Sequence, residues 1–142
     1  MLVGVVLVCL TLLGGCKPSR QEVIASITRA ESRAGESYYG TDLEVAARDL
    51  VSYQQELLIR RKQVDDAYRY DYALGLACGR LALIYESSGQ TNQASAQMRE
   101  SLSYFQRESL THHLNESDIT EQSTRQFIAR LDEKRKPVWQ KQ

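Results

Sequence analysis

The sequence predicts an all-α protein of about five helices, arranged as antiparallel helical hairpins. Three observations carry this. After residue 16, apolar residues recur at three-four spacing in one segment after another, the period of a helix buried along one stripe. Helix-start signals precede most of these segments, and glycine or cationic runs follow them. No run alternates apolar with polar residues as a half-buried strand does, and no Asn-Gly hairpin signal occurs.

Each element has its own local reason. Ser19-Arg20-Gln21-Glu22 is a capping box that starts a first helix with Val23, Ile24, Ile27, Ala30 and Ala34 on one stripe. Gly35 is expected to end it, with Tyr38-Tyr39-Gly40 as a turn. Thr41-Asp42-Leu43-Glu44 is a second capping box, leading a stripe of Leu43, Ala46, Ala47, Leu50, Tyr53 or Gln54, and Leu57. The cations Arg60-Arg61-Lys62 suit that helix's C-terminus through the macrodipole. Asp65-Asp66 suit the start of a third helix, which carries Tyr70, Ala73, Leu74, Ala77, Leu81, Ile84 and Tyr85. Gly75 and Gly79 on it allow another helix to approach closely, which offsets the cost of about 1 kcal/mol for each mid-helix Gly. Gly89 is its left-handed cap. Thr91 or Asn92 caps a fourth helix with Ala94, Met98, Leu102 and Phe105 inward. A polar connection over 111–117 leads to a fifth helix opened by Asp118-Ile119-Thr120-Glu121, with Ile119, Phe127, Ile128 and Leu131 as anchors. Lys134-Arg135-Lys136-Pro137 closes it, and residues 135–142 read as a mobile tail.

The 142 residues balance 18 Lys+Arg against 18 Asp+Glu. That neutrality argues against nucleic acid as the main ligand, since phosphate binding is mostly electrostatic. The charges are not spread evenly. Residues 1–15 carry none, and Leu2–Leu13 is a near-continuous apolar run. At about 12 residues the run falls short of the about 20 a membrane-spanning helix needs, so it reads as a secretory signal. A positive leader ahead of it is missing, and the reading favours a start further upstream. In the remainder, Leu, Ile, Val and Phe make up about 20 %, near the lower edge for a packed core. Tyrosines fill part of that deficit.

The apolar run ends in Leu13-Gly14-Gly15-Cys16, which resembles the lipobox of bacterial lipoproteins. Small residues let an extended backbone enter a peptidase, and a thiolate is the side-chain nucleophile suited to forming a lipid thioether. The resemblance implies a signal peptide over 1–15, lipid on Cys16, and an extracytoplasmic domain over 16–142. Lys17 after the Cys implies the outer membrane, facing the periplasm. Cys9 leaves with the signal, so Cys78 stands alone in the mature domain, without an intrachain disulfide and as a small buried hydrophobe.

From Gly75 to Glu108 the chain resembles one tetratricopeptide repeat, a 34-residue helix-turn-helix. Leu81-Ala82, Tyr85, Gly89, Ala94 and Met98 stand at its key positions, while Cys78, Ser101 and Gln106 depart from it. Windows 41–74 and 109–142 match poorly. The domain is therefore either a short divergent repeat protein or an irregular bundle with one repeat-like hairpin.

Catalytic signals are weak. His112-His113 lacks the four-residue spacing of metal-binding helices, Asp65-Asp66 already has a helix-start role, and no phosphate loop, nucleophile elbow or paired-Cys motif occurs. No cofactor or metal is implied. The expectation is a non-enzymatic, protein-docking lipoprotein whose partners are the membrane, through the lipid on Cys16, and another envelope protein. Tyr68, Tyr70 and Tyr72 are the candidate contacts, because Tyr joins a large ring to a polar tip. Arg60 and Arg61, with Lys62, form a candidate cationic ridge. Alternatives are an exclusion or immunity lipoprotein of a mobile element, or a small-ligand-binding lipoprotein. The basic tail with Trp139 is a further candidate for anionic headgroups.

Overall fold

The computed structural model describes residues 17–63, 69–111 and 119–141. It is all-helical there, with α1 Arg20–Tyr38, α2 Leu43–Arg60, α3 Tyr70–Ser87, α4 Thr91–Thr111 and α5 Glu121–Asp132, followed by a short 3-10 turn, Val138–Lys141. Cys16, Tyr68, Asp65-Asp66 and His112-His113 lie outside the described residues.

The Ser19 hydroxyl accepts from the Glu22 amide while Glu22 accepts from the Ser19 amide, so the first capping box forms and holds the Glu22 carboxyl below its usual range. In the second, Asp42 rather than Thr41 is the cap, accepting from the Glu44 and Val45 amides at 3.0 Å. The first helix does not stop at Gly35. It runs a further turn, because Tyr38 is wanted in the core, where it is fully buried. Thr91 is already helical, and the α5 cap is Thr120, boxed with Ser123.

Two antiparallel hairpins form the body. Ser26 on α1 donates to Glu56 on α2 and sets the first register. Ser101 on α4, fully buried, donates to the Gly75 carbonyl at 2.6 Å and sets the second. α2 and α3 join the hairpins through Leu50, Tyr53, Leu57, Leu74, Ala77 and Leu81. Gly89, at φ +73°, makes the α3–α4 turn. The two glycines of α3 admit different neighbours. A Cβ on Gly75 would sit 3.0 Å from the Phe105 ring of α4, and one on Gly79 would meet Ile128 of α5.

α5 lies obliquely across α3. Its Arg125 reaches Glu86 near the end of α3, while Phe127 reaches Tyr72 near the start. Its buried face is Thr124, Ile128 and Asp132, whereas Phe127 and Leu131, expected as anchors, are exposed. The buried Asp132 carboxylate accepts from the Tyr38 and Tyr39 hydroxyls at 2.8 Å and from Arg80 Nη2 at 2.9 Å, joining α1, α3 and α5. Burial first, then the Asp132 charge, pushes the Tyr38 hydroxyl pKa strongly up.

The expectation of a mobile tail from 135 is corrected. Trp139 donates from Nε1 to the Tyr38 carbonyl at 3.0 Å, its ring meets Tyr38 edge-on at 5.7 Å, and Pro137 is buried. Arg135 lies 4.7 Å over the Tyr39 ring. An aromatic residue with a ring N–H can use an apolar wall and a free carbonyl together, and α1's end supplies both.

Cys78 is buried, and burial pushes its thiol up to about 12, against the partial opposition of a Gln54 hydrogen bond.

Two outcomes follow. Asp132→Ala leaves the Arg80 cation buried without its counter-charge, so stability in urea falls by about 3–5 kcal/mol, and Asp132→Asn, which still accepts hydrogen bonds, loses less. The raised thiol pKa stabilises the native state only where the unfolded thiol is still protonated. That stability is complete below about pH 9 and is lost as pH rises toward 12, at up to about 1.4 kcal/mol per pH unit. Tyr38 and Tyr39 are raised in the same direction. Urea titrations at pH 8, 9.5 and 10.5 therefore show a falling midpoint, with a shallower fall in Cys78→Ala.

Candidate functional site

The candidate site is a pair of adjoining clefts on either side of the first turn of α3. α3 must present Tyr72 there: with Tyr70, Ala73, Leu74 and Ala77 turned into the core, the helical period leaves Tyr72 and Leu76 half-buried at its edge. The first cleft, about 340 Å³, runs between α1 and α3 and is lined by Ala34, Gly35, Leu50, Tyr53, Tyr72 and Leu76, with Glu31, Arg69 and Arg80 at its polar points. The second, about 360 Å³, lies among α3, α4 and α5. Its walls are Tyr72, Phe105, Phe127 and Ile119, with Glu108, Ser109, Ser123 and Thr124. Arg69 and Tyr72 belong to both.

Three rings frame the second cleft. Tyr72, Phe105 and Phe127 meet edge-to-face, with centroids 5.7–6.1 Å apart. The Arg69 guanidinium lies 4.6 Å above the Tyr72 ring and donates from Nε to the largely buried Glu108 at 2.5 Å. The ridge between the clefts is thus an aromatic ring roofed by an ion-paired cation. Two buried polar atoms at the clefts have no partner among the described residues, Arg80 Nε in the first and Thr124 Oγ1 in the second.

The structure separates the residues that the sequence grouped. Tyr70 is 5 % exposed, its hydroxyl donating to the Arg60 carbonyl at 3.4 Å, so it offers no contact surface and is corrected to a core residue. Tyr72, two residues on, points about 200° away and reaches the clefts. Arg60 pairs with Glu56 at 2.8 Å and Arg61 with Asp71 at 2.9 Å, and neither arginine lines either cleft. The sequence reading missed Phe127, Arg69 and Thr124 as site residues. Phe127 was visible as an apolar residue on α5, but its exposure depends on Asp132 taking the buried face.

Among the described residues, no group of three or more His, Cys, Asp and Glu side chains is placed to hold a metal ion, and no helix is long and apolar enough to cross a membrane. Compared with known protein families, curated proteins and solved structures, the chain shows no match. The chemistry of the site therefore has to be read from its own residues. It offers apolar surface, aromatic faces and a few hydrogen-bonding groups, which is the equipment of a binding surface.

The unpaired Thr124 hydroxyl gives a direct check. A buried hydroxyl without a partner costs about 1–3 kcal/mol. Thr124→Val, which keeps the shape and removes the hydroxyl, raises the stability of the free protein by about 1 kcal/mol in urea unfolding.

Proposed function

We propose that this chain is a lipid-anchored, non-enzymatic adaptor of the bacterial envelope. In this reading Cys16 carries the lipid, Lys17 directs the protein to the outer membrane facing the periplasm, and the helical domain docks another envelope protein. The observation that carries the docking half is the pair of mostly apolar clefts meeting at Tyr72, which no other part of the described chain covers. Aromatic anchors beside an Arg held by a largely buried Glu are what interface centres favour. The likeness of Leu13-Gly14-Gly15-Cys16 to a lipobox supports the anchoring half. The α3–α4 hairpin supports, without extending beyond residues 75–108, the resemblance to a tetratricopeptide repeat, whose small positions Ala82 and Ala94 are fully or almost fully buried here.

One observation favours a second reading, a small-ligand-binding lipoprotein. Thr124 Oγ1 is a buried, unpaired polar atom in a residue that lines an apolar cleft, and a ligand hydrogen-bonding there would satisfy it.

A pull-down from cross-linked, detergent-solubilised membranes tests both. The wild-type protein is expected to bring down one stoichiometric partner. Phe127→Ala, which removes an exposed aromatic anchor with little cost to the core, is expected to weaken that capture at least tenfold. Cys16→Ser is expected to lose it through loss of placement. Capture that is unaffected by Phe127→Ala moves the contact away from the clefts. No partner in any sample, together with a small molecule released on denaturing the wild-type protein, replaces the adaptor by the ligand-binding reading.

A further inference from the structure

The lipid-anchor reading has a geometric consequence for one end of the molecule. Only Lys17, Pro18 and Ser19 separate Cys16 from the first helical residue, Arg20. Fully extended, that spacer reaches about 10 Å. An anchored chain therefore holds the start of α1 against the headgroups, and with it the end of α2, since Ser26 donates to Glu56 across the antiparallel pair.

The side chains at this end have the chemistry of a membrane-contact surface. Lys17, Arg20 and Lys62 are exposed and carry no ion pair among the described residues, and Arg61 is partly exposed beside them. The described carboxylates at this end of the molecule are already occupied. Glu22 closes the α1 cap, Glu56 takes Ser26 and Arg60, and Asp71 takes Arg61 and Arg107. The unspent charge of the described residues here is positive. Exposed apolar side chains lie at the same end, Ile59 at 55 % and Leu58 at 45 % on the last turn of α2, the two most exposed large apolar residues described, and Ile24 at 39 % on the second turn of α1.

We propose that this end, built from Lys17, Arg20, Ile24, Leu58, Ile59 and Lys62, rests on anionic phospholipid and fixes the orientation of the domain on its membrane. The proposal rests on the lipid-anchor reading for its geometry. Cations meet the headgroup phosphates, and the branched side chains enter the interface, the division of labour of surface-bound amphipathic segments. The basic tail is excluded from this role. Trp139 packs on Tyr38 at the far end of α1, about 28 Å from Arg20.

The test uses full-length protein purified from membranes and reconstituted into vesicles of phosphatidylcholine, with or without about 30 % phosphatidylglycerol. A fluorophore is placed at Gln63→Cys, at the proposed surface, or at Ser88→Cys, at the far end of α3. Headgroup-attached quenchers are expected to quench the first label and spare the second in phosphatidylglycerol vesicles. That contrast is expected to fade in Arg20→Gln/Lys62→Gln and without phosphatidylglycerol. Equal quenching at both positions, or a contrast indifferent to lipid charge and to the two cations, overturns the proposal; the latter outcome points to a protein docked at this end. The intact mass of the same sample reads the lipid on Cys16 separately, and its absence overturns the anchor reading. The surface is then judged on Cys16→Ser protein by co-sedimentation. Affinity for phosphatidylglycerol vesicles that drops about fivefold with each cation removed sustains it, and affinity independent of phosphatidylglycerol sinks it. Circular dichroism confirms that each exposed-site variant remains helical.

Discussion

The buried Asp132 carboxylate is the constraint on which the arrangement of the last third of the chain depends. α5 brings to the core one large apolar side chain, Ile128, which would not by itself hold a twelve-residue helix across α3. Asp132 adds three charge-assisted or hydroxyl hydrogen bonds, drawn from two other helices. An ionised carboxylate is expensive to bury, and it is tolerated only where its oxygens are satisfied with good geometry. Here the Arg80 cation, stacked 4.7 Å over the Tyr38 ring, completes the set. The same Tyr38 offers its ring and carbonyl to Trp139, so the network also fixes the tail. Where α5 settles decides where Phe127, Thr124 and Ser123 stand, and hence whether the second cleft exists.

The parts of this fold that were legible in the sequence are those that depend on neighbours in the chain. The capping box at Ser19, the left-handed Gly89, the helical stripe of α2 and the close-approach role of Gly75 and Gly79 are local or periodic signals. What could not be read depends on distant partners. Tyr38 and Tyr39 look like turn residues beside Gly40, and become core and network residues only because Asp132, 94 and 93 positions later, comes to meet them. Ser101 looks like a weak substitute for Ala in a repeat pattern, whereas in the fold its hydroxyl satisfies the Gly75 carbonyl where the two helices are closest. Leu131 looks like an anchor by its hydrophobicity and is displaced outward by a polar neighbour with more bonds to make.

The candidate site shows the same division. Alternating tyrosines in a sequence suggest one surface, but on a helix residues two apart point to nearly opposite sides. Tyr70 fills the core between α2 and α3, and Tyr72 forms the ridge between the clefts. The cationic run Arg60-Arg61-Lys62 likewise divides by geometry. Its first two members are drawn into pairs with Glu56 and Asp71, and Lys62 is left to face outward. A charge run read from sequence overstates the charge that a partner meets, because folding supplies counter-ions, here from one turn back on the same helix and from the start of the next.

The two proposals constrain each other through the length of α1. If the start of this helix lies at the headgroups, its 19 residues extend about 28 Å, and the residues it gives to the first cleft, Glu31 to Gly35, stand about 17–22 Å along it. An upright domain would then hold the α1 wall of the first cleft about 20 Å from the lipid surface, while Tyr72 stands lower, next to the Asp71 that pairs with Arg61 at the end of α2, so the first cleft would run from near the headgroups up into the aqueous phase, open there to a protein. The Asp132 network and the docked Trp139 would close the far end of the same face, beyond the clefts. Such an arrangement suits capture of an aqueous segment of a partner better than capture of a membrane-buried one. A domain lying on its side would bring the clefts near the lipid and offer its apolar walls to acyl chains instead. The orientation of the α1–α2 end therefore decides more than where the protein rests, because it selects which class of molecule can reach Tyr72.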